Sequence, residues 1–384
     1  MSVGPSGVRN VVLVGSQEAA TTGLVQSLLA AAGSRALKHY AVGALEHGGC
    51  TVHLLVAPAG AQTGDDLGAM LTGAEAALFV LAAGESVESR ILHIWDECAD
   101  AGMPRAFVIT GLDAQDVDFE DAVEACQNEF GESALPLALP LHDEAGVMAG
   151  LIGLLSQRIA DHSGGGRVER AADPEHLPLI HEHSRALVEG ILSESEDDTL
   201  LDRYLDGEIV TPEVLHDGLV SAVRRGALFP VMPTHPASGV GIAELLDVLS
   251  GIFPSPLQHQ LPVATGRDGS PRDALTCDPA GPLAAIVLDH GPANGVTVRV
   301  LSGTLRPGCD VGLARPGDID FACDTTVNTL VALPSGDSLT ECVAGDVCVV
   351  PGLVEARRAD TVYGVDSPLR IATWSSAHDA QTDF

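Results

Sequence analysis

Residues 9–32 read RNVVLVGSQEAATTGLVQSLLAAA, and this stretch decides the fold. Residues 11–14 form a short apolar run, mostly β-branched, that stops at Gly15, which is typical of a buried strand that enters a turn. From residue 22 onward the apolar side chains recur at helical spacing: Leu24, Val25, Leu28 and Leu29. The stretch therefore predicts a strand, a loop and a helix in succession.

The chain repeats this alternation downstream. Further apolar runs predict strands at residues 51–56, 76–82, 105–110 and 229–232. Residues 87–101 and 242–253 have the spacing of helices, and strands that alternate with helices are typical of a largely parallel α/β sheet. Residues 150–161 are apolar enough to be either a helix or a strand, and residues 175–225 predict a charged helical segment.

The pattern changes beyond the proline-rich residues 254–256. Short β-rich runs then follow one another: 283–288, 296–300, 311–313, 325–331 and 347–350. Turn clusters at residues 302–303 and 306–308 separate some of these runs. Evenly spaced short strands of this kind predict a small, all-β barrel.

The charge of the chain limits its partners. The 384 residues include 20 basic and 53 acidic side chains, which gives a net charge of −33. Nucleic-acid affinity rests largely on Lys and Arg that displace counterions, so we expect no direct, non-specific nucleic-acid binding. Only one basic residue is a lysine, Lys38, and this excludes chemistry that needs a lysine in each of two motifs.

No membrane or metal signal stands out in the sequence. No apolar run approaches the roughly 18 uncharged residues of a membrane-spanning helix, and the N-terminal apolar run is too short for a signal-peptide core. We therefore expect a cytoplasmic protein. The eight cysteines contain no CxxC pair, so their spacing encodes no zinc site, and we expect no bound metal.

The segment between the first strand and helix lies where a phosphate-binding loop would be. Such a loop, G-x-x-x-x-G-K-[ST], uses glycines to wrap the phosphates, a lysine to neutralise them and a hydroxyl to hold Mg²⁺. Here the octad is GSQEAATT, from Gly15 to Thr22. Ala20 occupies the position of the second glycine, Thr21 that of the lysine, and Glu18 adds a negative charge.

The chain resembles translation elongation factor G, and especially the divergent actinobacterial elongation-factor-G-like paralogues. The segments that carry the resemblance are residues 9–15, 76–113, 139–158, 186–207, 229–256, 275–285, 300–308 and 344–350. The resemblance implies a P-loop GTPase-like domain at 1–256, with an inserted helical subdomain at about 160–228. It also implies a translation-factor-type β-barrel, domain II-like, at 257–384. The family's three C-terminal domains have no counterpart in these 384 residues.

The family's switch II motif is degenerate in this chain. Its D-T-P-G sequence falls on Val56, Ala57, Pro58 and Ala59, where only the proline matches. Valine offers no oxygen to a hard cation such as Mg²⁺. The family's water-positioning residue would fall on Gly60, which has no side chain, and no switch I threonine can be assigned.

The guanine-reading motif is also degenerate. The N-K-x-D sequence falls on Thr110, Gly111, Leu112 and Asp113, so the aspartate is kept and the lysine is lost. A later family loop falls on residues 235–239 without its Ser-Ala pair. Four charge-assisted contacts are missing in all, and at about 1.5 kcal/mol each they amount to about 6 kcal/mol of binding free energy.

These losses predict a pseudo-GTPase with no catalytic residue and no cofactor. The expected partner is the ribosome, a ribosomal stalk protein or another translation factor. A residual GTP- or GDP-binding protein with Mg²⁺ and little turnover is the alternative. The retained residues receive structural roles instead: Gly15 ends a strand, Thr22 caps a helix and Asp113 closes its own loop.

Three further features have ordinary interpretations. His181 and His183 lie two apart on a predicted helix, where they share no face, so they predict no metal pair. His235 lies in a loop near the place where the family binds its nucleotide, but the sequence pairs it with no nucleophile or carboxylate. The acidic residues 194–198 are read as a solvated surface, with a partner-binding face as the alternative.

Overall fold

The computed structural model describes residues 4–34, 41–57, 65–113, 117–290, 295–318 and 322–374, without residues 165, 196, 198 and 209. A 3-10 turn at Pro5–Gly7 precedes the first strand. The elements that follow are β1 (Val8–Gly15), α1 (Glu18–Ala31), β2 (Val42–His47), β3 (Cys50–Val56), α2 (Asp65–Thr72), β4 (Ala76–Ala82), α3 (Ser89–Asp100), β5 (Arg105–Thr110), α4 (Phe119–Phe130) and β6 (Ala134–Pro136).

A mixed insertion follows β6. Four strands come first: β7 (Ala138–His142), β8 (Met148–Gly153), β9 (Arg158–Asp161) and β10 (Val168–Ala171). They form an antiparallel sheet in the order β10-β9-β8-β7. Three helices come next: α5 (Leu177–Ser193), α6 (Leu200–Leu205) and α7 (Pro212–Arg224). Residues 150–161, which the sequence left open, contain most of β8, a turn and β9, and the helical segment predicted from residue 175 begins at Leu177.

After the insertion the chain adds one more strand to the seven-stranded sheet that contains β1 to β6. The strand is β11 (Phe229–Pro233), and helix α8 (Ile242–Asp247) follows it and continues into a π-helical turn at Val248–Ile252. The sheet has seven strands in the order β2-β3-β1-β4-β5-β11-β6. Its pairs are parallel except for the hairpin of β2 with β3, as far as the strand registers describe them.

Continuous apolar strands explain why this sheet is parallel. Every residue of β5 is buried, and β4 is buried up to its last residue. Strands that are buried on both faces lack the apolar-polar alternation of a half-exposed sheet. On the neighbouring helix, the apolar positions that predicted α1 are all buried: Leu24, Val25, Leu28 and Leu29. The predicted α/β pattern is confirmed.

The remaining strands form an all-β region. They are β12 (Ala264–Thr265), β13 (Ala284–His290), β14 (Val296–Ser302), β15 (Thr304–Leu305), β16 (Asp310–Ala314), β17 (Ala322–Thr326), β18 (Leu330–Ala332), β19 (Ser338–Leu339), β20 (Cys342–Val343), β21 (Val347–Val350), β22 (Thr361–Gly364) and β23 (Arg370–Ile371). Eight of them form one antiparallel sheet in the order β17-β16-β22-β13-β14-β21-β18-β19. The run at residues 325–331, predicted as one strand, contains the end of β17 and the start of β18.

Side chains from both edges and the centre of this sheet share one apolar core. Its members include Val287, Val298, Leu313, Val350 and Val362, each almost fully buried. The predicted fold class, a GTPase-like α/β part followed by an all-β part, is therefore confirmed.

By compactness the chain forms two units. One contains residues 14–31 and 76–253, and the other contains residues 1–13, 32–75 and 254–384. The domain bounds expected from the sequence, 1–256 and 257–384, stay a prediction. Among the described residues, no helix is both long and apolar enough to cross a membrane.

A buried polar network lies in the second of these units. Arg299 is fully buried, and its Nη2 lies 2.5 Å from Oε1 of Glu75. The other carboxylate oxygen of Glu75 accepts hydrogen bonds from the Asn10 side-chain amide at 2.8 Å and from the Asn10 backbone at 3.2 Å. Because the Asn10 amide donates there, its carbonyl faces His53 Nδ1 at 2.8 Å. The His53 Nε2 atom lies 3.5 Å from Asp346.

Candidate functional site

The segment expected to be a phosphate loop is mostly helix. Helix α1 begins at Glu18, so only Ser16 and Gln17 separate it from Gly15 at the end of β1. The two alanines at positions 19 and 20 favour helix, and Ala20 stands where the motif would have its second glycine. A phosphate loop holds its anion with free backbone N–H groups. Here the Thr21 N–H already donates to the Gln17 carbonyl at 3.1 Å.

Thr22 therefore does not cap this helix, and that prediction is wrong. The residue lies inside α1, one turn after its start, and its side chain is exposed. A capping side chain has to lie just before the first helical residue, where unpaired N–H groups face it. A hydroxyl in this place is also not at the end of a loop, where the family's Mg²⁺ ligand would be.

Thr21 fills the space beside Gly15. Its side chain is 4% exposed, and its Oγ1 donates to the Gln17 carbonyl at 2.9 Å. A Cβ atom built on Gly15 would lie 1.8 Å from that Oγ1. Gly15 is therefore required here by the packing of Thr21, and it ends a strand as predicted. The position where the family has its phosphate-binding lysine points into the protein.

Polar groups from α3 and the preceding loop close the same turn. The Arg90 guanidinium donates from Nη2 to the Gly15 carbonyl at 2.7 Å. The Gln17 side-chain amide donates to Glu85 Oε1 at 2.5 Å. The sequence did not single out Arg90 or Glu85, since neither belongs to a recognisable motif. Their contacts fix the chain between β1 and α1 in its short form.

A cleft of about 630 Å³ lies next to α1, and it brings together four of the predicted site residues. Ala20, Thr110, Gly111 and Asp113 line it together with His235. No lysine or arginine is among the described residues that line it. A cleft without a fixed positive charge offers little to a triphosphate.

Thr110 and Gly111 have local roles in this cleft. The buried Thr110 hydroxyl donates to the Leu81 carbonyl at 3.2 Å, across the sheet from β5 to β4. Gly111 has a φ of 74°, in the left-handed region that side chains rarely adopt. A lysine at this position would therefore be strained, quite apart from the missing partners.

His235 contacts the one carboxylate that the guanine motif retains. Its Nε2 lies 3.6 Å from Asp113 Oδ2, and its Nδ1 lies 2.7 Å from the Ser238 hydroxyl. The structure therefore corrects the expectation that His235 has no nucleophile or carboxylate beside it. The recorded partner of Asp113 is His235, and no described contact shows Asp113 closing its own loop.

These three residues do not form a catalytic triad. The Ser238 backbone N–H donates to His235 Nδ1 at 3.2 Å, so the nitrogen that would act as base is already an acceptor. We assign the ring proton to Nε2 on this basis, facing Asp113. A 3.6 Å contact is too long for the hydrogen bond that orients a catalytic histidine. The arrangement holds a turn and places a ring N–H of His235 beside Asp113.

The switch II positions lie partly outside the described residues. Val56 ends β3, and its backbone N–H donates to the Ala41 carbonyl at 2.6 Å. Pro58, Ala59 and Gly60, like Lys38, lie outside the described residues. The side chain of Val56 has no donor atom, so this position does not fit the family's Mg²⁺.

Two other histidine clusters occur in the compact unit that contains residues 76–253. His183 Nε2 lies 3.5 Å from Glu120, and no described contact pairs it with His181. Among the described residues, one group of potential metal ligands comes together, at Asp173, Glu175 and His176. The sequence analysis did not identify this group, and Asp173 already pairs with an arginine, Arg170.

Comparisons with known proteins agree with this fold. No protein-family model matches the chain. An "Elongation factor G-like protein" of Mycobacterium tuberculosis is 37% identical over 97% of this chain and 57% of that protein. "Elongation factor G 1" of Geobacter sulfurreducens is 28% identical over 75% of this chain and 42% of its own length.

A solved structure has the same architecture. A crystal structure of a Thermus thermophilus protein superposes with a TM-score of 0.74 at 26% identity, over 94% of this chain and 55% of that one. The chain thus spans somewhat more than half the length of the M. tuberculosis relative. In sequence and in fold, it belongs to the elongation factor G-like proteins of the translational GTPase family.

Proposed function

We propose that the chain is a non-hydrolysing member of this family that serves the translation machinery as a protein-binding or regulatory module. The observation that carries the proposal is the early start of α1, with Thr21 buried against Gly15 where a phosphate would need open space. The proposal includes a cytoplasmic location and no resident cofactor.

The local charges also oppose a bound nucleotide triphosphate. Glu18 and Glu85 lie at or beside the short β1–α1 connection, and Asp113 lines the cleft. The nearby guanidinium, that of Arg90, is engaged by the Gly15 carbonyl. Phosphates placed here would meet carboxylates without the lysine and Mg²⁺ that normally offset them.

The residues present do not fit a catalytic Mg²⁺. Of the two side chains that the family uses for the metal, one position is the exposed, helical Thr22 and the other is Val56. Mg²⁺ takes oxygen ligands; valine offers none, and the Thr22 hydroxyl lies on an exposed helical position and not at the end of a loop. We therefore derive no hydrolytic step for this chain.

Calorimetric titration of the full chain with GTP and with GDP, each with Mg²⁺, tests this proposal. We expect no saturable binding into the high micromolar range. The Thr21→Lys variant should behave in the same way, because Ala20, Gly111 and Val56 are unchanged and the new side chain starts from a buried position. A submicromolar dissociation constant for either nucleotide would overturn the proposal, as would GTP hydrolysis by the single variant.

The alternative is a residual GTP- or GDP-binding protein with little turnover. It is favoured by one observation, that Asp113 is retained and lines an open cleft of about 630 Å³. The same titration separates the two functions. If GDP binds and Asp113→Ala abolishes the binding, the alternative replaces the first proposal.

The proposed partners are the ribosome, a ribosomal stalk protein or another translation factor. The net charge of −33 favours contact through protein over direct, non-specific contact with nucleic acid. Co-sedimentation with ribosomes at modest salt, repeated with stalk-depleted ribosomes, tests this part. A chain that stays in the supernatant in every condition would remove the ribosomal partner from the proposal.

A further inference from the structure

A basic pocket of about 710 Å³ is formed in the all-β region by His290, Arg315, Arg357 and Arg358. His290 ends β13, Arg315 follows β16, and the other two lie in the connection from β21 to β22. Three arginines from two separate connections thus line one pocket in a chain with 53 acidic residues and a net charge of −33. The nucleotide motifs play no part in this pocket.

Neighbouring carboxylates balance two of the three arginines. Arg358 forms a forked contact with Asp289 Oδ1, at 2.9 Å from Nε and 2.5 Å from Nη2. Arg315 lies 3.8 Å from Asp360 through Nε, and its Nη2 contacts the Glu355 carbonyl at 3.4 Å. The buried Nε of Arg315 has no hydrogen-bond partner among the described residues.

The third arginine at the pocket is Arg357. Arg357 is exposed, and its guanidinium forms no ion pair with any residue that the structure describes. Its backbone N–H donates to Asp360 Oδ2 at 2.8 Å, which fixes the main chain at this point without using the side chain. The remaining carboxylate at the pocket, Glu355, is exposed to solvent. The Arg357 guanidinium interacts electrostatically with the buried Asp360 but forms no ion pair among the described residues, and the pocket leaves room beside it.

The backbone between Arg357 and β22 is rigid. Ala359 is fully buried and has a φ of 67°, which is rare for a residue other than glycine. Its N–H donates to the Val287 carbonyl at 3.0 Å, and the Asp360 N–H donates to the Arg357 carbonyl at 3.1 Å. Such a conformation is unfavourable and persists only where the surroundings impose it. The main chain that carries Arg357 and Arg358 is thus fixed before any ligand arrives.

We propose that this pocket binds the phosphate group of a small molecule. Guanidinium groups donate forked, charge-assisted hydrogen bonds to oxyanions. A planar carboxylate is satisfied by one such fork, whereas a tetrahedral phosphate accepts from several donors, and the pocket is lined by three arginines and a histidine. The overall charge of −33 repels each further phosphate of a polymer, so a small phosphate compound is favoured over RNA.

Titration of the full chain with inorganic pyrophosphate at low ionic strength tests this site. We expect saturable binding by calorimetry, with shifted Nε–Hε signals of arginine in NMR spectra. The Arg357→Ala variant should bind about tenfold to a hundredfold more weakly. Its fold should be unaffected, since the side chain has no recorded partner, and circular dichroism checks this.

Arg306→Ala is the matched control. Arg306 is an exposed arginine of the same region, it pairs with Glu341, and it does not line the pocket. The control should bind pyrophosphate as the unmodified chain does. The proposal is overturned if pyrophosphate does not saturate, or if both variants weaken binding equally. A short RNA that binds more tightly than pyrophosphate and depends on Arg357 would overturn the assignment to a small molecule.

Discussion

Replacement of Glu75 by glutamine should destabilise the chain far more than its small change in shape implies. Glu75 accepts hydrogen bonds from Arg299 at 2.5 Å and from two Asn10 groups at 2.8 and 3.2 Å. Arg299 is fully buried, so without the carboxylate its charge has neither water nor counterion. Breaking one side of a buried ion pair costs about 3–5 kcal/mol. We expect a loss of that size in the free energy of unfolding.

Chemical denaturation, followed by circular dichroism, measures this loss. The matched control is Glu341→Gln, which removes the same charge from an exposed pair with Arg306 and should cost less than about 1 kcal/mol. A double variant, Glu75→Leu with Arg299→Met, should recover most of the stability because no unpaired charge remains. If Glu75→Gln and Glu341→Gln differ by less than about 1 kcal/mol, the reasoning from burial is refuted.

Three further predictions concern single positions. Burial lowers the pKa of His53 below 6.5, so the unfolded chain binds a proton at this residue before the folded chain does. The free energy of unfolding should therefore fall as the pH drops from about 6.5 toward the folded pKa. Chemical denaturation at several pH values should show a smaller dependence on pH in this window for His53→Gln. Gly15→Ala should destabilise the chain by about 1–3 kcal/mol through its clash with Thr21, and Thr21→Ala in the same chain should relieve most of it; equal stability of the single and double variants would contradict this. Burial raises the pKa of Cys98 and Cys126 to about 12, so at pH 8 both thiols should resist iodoacetamide in the folded chain, and mass spectrometry would expose early labelling.

Periodicity was sufficient to predict the large elements. Strands β3, β4 and β5 were predicted within a residue of their ends because a buried parallel strand is a continuous apolar run. Residues 150–161 stayed ambiguous for the same reason, since an apolar run of that length fits a helix or a strand. The run at 325–331 was misread as one strand, because alternation alone does not mark where one strand ends and the next begins.

The site was harder to predict, for two physical reasons. The motif that precedes α1 is a loop in its functional form, so the sequence analysis placed the helix start at Thr22. In this chain helix propensity extends the helix back to Glu18. The contact between His235 and Asp113 joins loops that are distant in the chain, and no spacing rule reports such a pair. The sequence did not predict the basic pocket for the same reason, since Arg315 and His290 lie far along the chain from Arg357 and Arg358.

The buried Thr21 also affects how such a chain could be regulated. A nucleotide switch has two conformations because the terminal phosphate binds one of them better than the other. If, as proposed, the chain with its buried Thr21 binds no nucleotide, no phosphate shifts the balance between two states. Binding to a partner would then follow only the concentrations and the affinity of the two proteins. The cell would control such a module by how much of it is made or degraded, not by a cycle of hydrolysis and exchange.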